Sequence, residues 1–125
     1  MIGMVVVLVE TFKGQNAYFD KISRADSFKT RLVGLMGKKS LKEGEGLYFP
    51  NCSSIHCMFM KIPIDVVYLD DENKVLGVET VQPWKKGKSP KGCKHILEVG
   101  EGAAKELVVG EVLEIHRYPG KAPIR

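Results

Sequence analysis

The sequence predicts an α+β domain that is mainly β, built as a curved antiparallel sheet or partly closed barrel with one packed α-helix. Three observations carry that expectation. Short runs rich in Val, Ile, Tyr and Phe recur along the chain, turn residues separate them at short intervals, and only one stretch has the spacing of an amphipathic helix. Short connections favour antiparallel neighbours, because a parallel pair needs a crossover of about a dozen residues or more. Curvature or partial closure would also protect the edges that many short strands expose.

Taken in order, Val5–Glu10 is β-branched and apolar and predicts a first strand. Lys13-Gly14-Gln15-Asn16 is a turn signal, and Ala17–Ile22 completes a hairpin. Ser23 with Asp26 three residues later resembles a capping box, and Phe28, Leu32, Leu35 and Met36 share one helical face before Gly37. Gly34 within that run weakens the helix and would allow a close backbone approach. Gly46–Phe49, Ile55–Met60, Ile64–Leu69, Lys74–Val81, His95–Val99 and Val112–Arg117 read as further strands. Asp70–Asn73 is a tight turn, residues 83–92 a mobile loop, and Gly102–Leu107 a second short helix. With no internal repeat and no linker composition, residues 1–125 read as a single domain with a frayed tail over 118–125.

Composition narrows the function classes. A hydrophobic content of 44% with 27% charged residues excludes a disordered or fibrous chain. No run approaches the roughly 20 apolar residues a membrane span requires, so no membrane partner is expected. Met1–Val9 has no basic residue ahead of its apolar run and meets Glu10 at once, which reads as a strand rather than a signal peptide. Cytoplasmic localisation follows as the expectation. Cys52, Cys57 and Cys93 are odd in number and lack zinc-knuckle spacing, so free thiols are expected. The formal net charge is +4, yet Lys85, Lys86, Lys88, Lys91 and Lys94 fall in one window without an acid, leaving the rest of the chain at −1. A basic face of the kind that wraps duplex nucleic acid is therefore not indicated.

Several motifs together resemble a known family. They are Arg31-Leu-Val-Gly-Leu-Met36, Gly44-Glu-Gly-Leu-Tyr-Phe49, Ser54-Ile-His-Cys-Met-Phe-Met60, Ile64-Asp-Val-Val-Tyr-Leu-Asp70, Val81-Gln-Pro-Trp84 and Leu97-Glu-Val-Gly100. In this order they are similar to domain-of-unknown-function family 192 (uncharacterised protein family 0127), over about residues 22–115. The resemblance implies a compact β-rich domain, often exported in bacteria and without an established activity. Cys57, where similar sequences often have threonine, and Glu111, where they often have aspartate, depart from the pattern. The lack of a signal peptide resembles the cytosolic members.

Four sets of residues could carry chemistry. On a strand, His56, Met58 and Met60 would share one face, a donor set suited to copper(I); the plainer reading has the methionines filling a core, and no metal is expected. Asp65 and Glu98 each interrupt an apolar strand, so each either faces solvent or is buried with partners. Convergence of both near His56 would make an acid–base site; otherwise Asp65 caps turn amides and Glu98 pairs with a lysine or Arg31. Arg31, at the border of the helix's apolar face, could hold a carboxylate or phosphate, or tie the helix to the sheet. Trp84, with Lys85, Lys86, Lys88 and Lys91, could stack a base and hold phosphates, or simply form a solvated loop guarding a sheet edge. Phosphate-cradling glycine loops and nucleophile elbows are absent. The expected function is a small non-catalytic binding domain with a pocket near Ile55–Met60. An enzyme using His56 with a carboxylate, and a nucleic-acid or protein-partner module working through Trp84 and the lysines, are the alternatives. The residues name no cofactor, ligand or substrate and leave open whether the protein is an enzyme.

Overall fold

A computed structural model of the chain describes residues 3–10, 16–24, 44–54 and 62–118. They form seven strands: β1 (Gly3–Glu10), β2 (Asn16–Arg24), β3 (Glu45–Phe49), β4 (Ile64–Leu69), β5 (Val75–Val81), β6 (His95–Gly100) and β7 (Leu113–Tyr118). Their order across the sheet is β5-β4-β6-β3-β2-β1-β7. The protein is mainly β, as expected.

The pairing departs from the expectation at one seam. β2 and β3 run parallel, with Ile22 opposite Gly46 and Arg24 opposite Tyr48, whereas every other pair is antiparallel. The chain between Arg24 and Glu45 supplies the crossover length a parallel pair demands. The expected packed helix over residues 28–36, with Arg31, falls outside the described residues, as do the strand Ile55–Met60 with His56, Met58 and Met60, and the tail from residue 119. β2 continues to Arg24, through the Ser23 read as a helix cap.

No second helix forms at Gly102–Leu107. Successive turns replace it, with Ala103 N–H to Gly100 O, Lys105 N–H to Gly102 O and Leu107 N–H to Ala104 O. Gly102 takes a φ of 83°, outside the helical region, and the Ala104 amide donates to the Asp65 side chain.

At the β4–β5 hairpin the turn lies where the sequence places it. Asn73 N–H donates to Asp70 O, Asp70 N–H donates to Lys74 O, and Asn73 adopts a left-handed φ of 62°. This is a type I turn followed by a left-handed residue, for which asparagine is well suited. The Asp70 carboxylate accepts from the amides of Glu72 and Lys74, and the Lys74 amide is the main cause holding Asp70 below its usual pKa.

β4 and β6 both have strands on either side and are buried on both faces, which explains why Ile64–Leu69 is apolar at every position but Asp65 and does not alternate. Side chains on one face join Phe19, Ile22, Tyr48, Val67, Leu97 and Val99 in one cluster. The other face gathers Leu47, Phe49, Ile64, Val66, Tyr68 and Ile96. Each fully buried aliphatic or aromatic side chain contributes about 2 kcal/mol through water exclusion. Gly46 leaves no room for a side chain: a Cβ there would collide with the Glu98 carbonyl oxygen and sit 3.0 Å from the Ile22 side chain.

The two outer strands approach each other at one end. Lys74 bridges Val112, and Val75 N–H donates to Glu111 O while Leu113 N–H donates to Asn73 O. Beyond this bridge no ladder joins β5 to β7 among the described residues, so the sheet is open.

Candidate functional site

The register decides how the two strand carboxylates relate. Asp65 lies opposite Val99, while Glu98 lies opposite Val66, the residue after Asp65. Directly paired residues share a face and sequential residues alternate, so Asp65 and Glu98 project to opposite faces of the sheet. They do not form one acid–base pair.

Asp65 is 3% exposed and both its oxygens are occupied. Thr80, its partner across the β4–β5 ladder, donates its hydroxyl to Oδ1 at 2.8 Å, and Ala104 N–H donates to Oδ2 at 3.1 Å. The carboxylate thus fastens the turn after β6 onto the sheet. The expected amide cap is present, but its amide comes from a segment 39 residues away in sequence. Glu111 does a similar task nearby: it is 1% exposed, and its Oε1 accepts from Val108 N–H at 2.6 Å.

Glu98 is the contrasting case. It is also 3% exposed, and among the described residues no lysine, arginine or hydroxyl hydrogen-bonds its carboxyl. Its row across the sheet reads Glu79, Val66, Glu98, Leu47, so its immediate neighbours on that face are both apolar. Burial alone pushes its pKa from 4.5 up to about 8. At neutral pH the group is therefore mostly a neutral carboxylic acid with one O–H to donate. Glu79 lies two strands away, about 10 Å at the usual strand spacing, and its Oε1 accepts from Lys88 N–H.

Cys52 and Ile62 pack against the same cluster that surrounds Glu98. These residues bracket the segment that carries His56, Met58 and Met60. Cys52 and Cys93 are both free thiols, and Cys93 is buried in that cluster with its thiol 3.4 Å from His95 O. His95 was not singled out by its sequence context. Its Nδ1 accepts from Asn51 N–H at 3.0 Å, which puts the proton of the neutral ring on Nε2, and its ring lies 6.0 Å from that of Tyr48. The signal is faint: a histidine opening a strand, opposite a Pro-Asn turn.

The lysine loop is built, not loose. Its turns are closed by Lys85 N–H to Gln82 O and Cys93 N–H to Pro90 O. Ser89 donates its hydroxyl to Ser53 O, Lys88 N–H reaches Glu79, and Lys94 N–H reaches Leu69 O. Proline and glycine composition suggested mobility, but those residues here serve defined turns, and the flanking polar groups anchor the chain between them. Trp84 stands 62% exposed with a φ of 67°.

This sheet and this order of motifs match a family model, DUF192, described as "Uncharacterized ACR, COG1430", over residues 9–115. The chain belongs to the DUF192 family. The match begins at residue 9, ahead of the start near residue 22 that the motifs suggested, because β1 and β2 carry no distinctive motif. A UPF0127 protein of Thermococcus kodakarensis is 30% identical over 109 residues, covering 84% of this chain and 69% of that protein. One from Pyrococcus abyssi is 34% identical over 95 residues, covering 71% and 79%. Among solved structures, a protein of unknown function from Novosphingobium aromaticivorans superposes with a TM-score of 0.78 at 21% identity, covering 89% of this chain and 84% of that one. A putative transcription regulator from Sinorhizobium meliloti gives 0.75 at 18% identity, covering 90% and 93%. The family model and the UPF0127 relatives establish the DUF192 family, whose function is uncharacterised, and the solved structures support the β-rich fold. Among the described residues no helix is long and apolar enough to cross a membrane.

Proposed function

We propose that this DUF192 member is a small, cytoplasmic, single-domain binding protein without catalytic activity, and that its ligand contacts the sheet face bearing Glu98. The observation that carries the reading is a buried carboxyl set among apolar neighbours, with no hydrogen-bond partner among the described residues. Burying a carboxyl among apolar neighbours is costly, and a ligand group that meets it offsets part of that cost. A neutral acid in an apolar setting suits a small, mostly apolar molecule carrying one hydrogen-bond acceptor. The bracketing contacts of Cys52 and Ile62 bring both ends of the His56 segment to this face, so His56, Met58 and Met60 remain candidates to line the ligand with Glu98. Arg31 stays a candidate anchor from the segment between β2 and β3. The curl of the sheet, drawn together where Lys74 meets Val112, suits a partly closed barrel enclosing such a site. Asp65 belongs to the other face, and with both oxygens engaged it serves as a structural tie.

Native mass spectrometry of the untagged chain tests this. The expected result is an added mass lost on denaturation, retained in Asp65→Asn and lost in Glu98→Leu while the variant stays folded. An unliganded mass for the wild-type chain that persists after incubation with small carbonyl-bearing ligands, or a ligand held equally by Glu98→Leu, overturns the reading.

A further inference from the structure

The lysine loop stands apart from the Glu98 face in its chemistry, and its geometry is independent evidence for a second site. Residues 82–85 form a β-turn, with Lys85 N–H donating to Gln82 O at 3.1 Å, Pro83 second and Trp84 third. A positive φ at the third position, after a proline, defines a type II turn, and that position ordinarily takes glycine. Tryptophan in the left-handed region is unfavourable by itself. Here the strain coincides with a large apolar ring kept 62% exposed, and strained residues concentrate where a function is served. Lys85, Lys86, Lys88, Lys91 and Lys94 are all exposed, and no acid occurs in the sequence between Gln82 and Lys94. Lys88 N–H meets the Glu79 carboxylate near the end of β5, whereas Lys94 N–H meets Leu69 opposite Val75 at its start, so the lysines run back along the strand away from Trp84.

We propose that Trp84 and this lysine set bind a short stretch of single-stranded nucleic acid, with one base stacked on the indole and neighbouring phosphates on the ammonium groups. Both halves of the surface are used: an indole face accepts any base, and lysines at close intervals follow a backbone charge. The anchored loop supports this by holding the ring and the charges in place before binding, through Ser89 to Ser53, Lys88 to Glu79 and Lys94 to Leu69. An anionic lipid surface fits less well. It favours several apolar side chains inserted together. The other exposed large apolar side chains among the described residues, Val108, Val109 and Val112, lie near the start of β5, while Trp84 follows its end. The seven residues of that strand separate the two groups by about 20 Å.

Trp84 is the only tryptophan in the chain, so its fluorescence reports this site alone. The full-length protein is titrated at low salt with an oligouridylate of about ten nucleotides, with an abasic oligomer of the same length, and with phosphatidylserine vesicles. Quenching by oligouridylate is expected, with little from the abasic strand. The slope of log affinity against log salt should lie between about −2 and −3.5, at about −0.7 for each phosphate neutralised. The combined change Lys85→Ala, Lys86→Ala and Lys88→Ala should flatten that slope by about 2. Trp84→Gly suits the turn, so folding is preserved; followed by anisotropy of a labelled strand, it should weaken binding about tenfold. Absence of quenching at low salt, or an affinity indifferent to the lysine changes, overturns the proposal. A blue shift with vesicles and no response to oligouridylate overturns it in favour of a lipid surface.

Discussion

Replacing Glu98 by glutamine should remove a pH dependence of stability that the wild-type fold carries. In the unfolded chain the carboxyl titrates near 4.5, and in the folded chain near 8. Below pH 4.5 both states hold the proton and the group exerts no pH effect. As pH rises through the window from 4.5 to 8, the unfolded chain releases the proton and the native state keeps it, so stability falls with pH. Above 8 the native carboxylate is ionised too, and the loss levels off. At about 1.4 kcal/mol per pH unit, the loss reaches roughly 3 kcal/mol at pH 7 and about 5 kcal/mol above pH 8. Glutamine has nearly the same shape and no charge to release. Urea denaturation of both proteins from pH 4.5 to 9 should give similar stability at the acid end and a gap that opens toward the alkaline end, with the variant more stable. Parallel pH profiles for the two proteins, or a gap that opens toward acid, would refute the argument that Glu98 is buried without a compensating charge.

Other expectations can be checked by the same denaturation measurements. Gly46→Ala should destabilise the fold by about 3 kcal/mol or more, because its Cβ would meet a backbone oxygen that cannot swing aside. Asp65→Ala should cost about 1–3 kcal/mol, mainly by leaving the buried Ala104 amide without its acceptor, whereas Thr80→Val, whose exposed hydroxyl water can replace, should cost under about 1 kcal/mol. Trp84→Gly should change the stability of the fold by no more than about 1 kcal/mol, since the relief glycine brings to the left-handed φ is offset by the lost part-burial of the indole. In timed thiol labelling with peptide mapping, Cys52 should react well ahead of the buried Cys93.

The strand content was legible because apolar runs and turn residues are local signals. β4, β5, β6 and the Asp70–Asn73 turn fall within a residue or so of where the sequence puts them. The parallel β2–β3 seam was hidden, since strand direction depends on where an intervening segment leads the chain and leaves no mark in the strands themselves. Gly102–Leu107 has helix-forming alanines and charged residues, yet a single tertiary hydrogen bond to Asp65 and a left-handed glycine set its course. At the candidate site, the sequence identified Asp65 and Glu98 as anomalies inside apolar strands. What it could not supply was register, and one residue of register separates two carboxyls on one face from two carboxyls on opposite faces. His95 escaped notice for a similar reason: its role depends on the Asn51 amide, 44 residues away in sequence.

The pairing of β1 with β7 sets a timetable for folding. Met4 meets Tyr118 and Val9 meets Leu113, so the second strand that β1 requires leaves the ribosome after the other six described strands. Until then β1 has β2 on one side and an open row of amides and carbonyls on the other, a template for pairing with another chain. Most of the ladders here join distant parts of the sequence, which places such a sheet among folds that form in milliseconds to seconds, not microseconds. A chaperone that shields the early hairpin, or a slowing of translation once β6 has emerged, would therefore change the yield of native protein more than its stability.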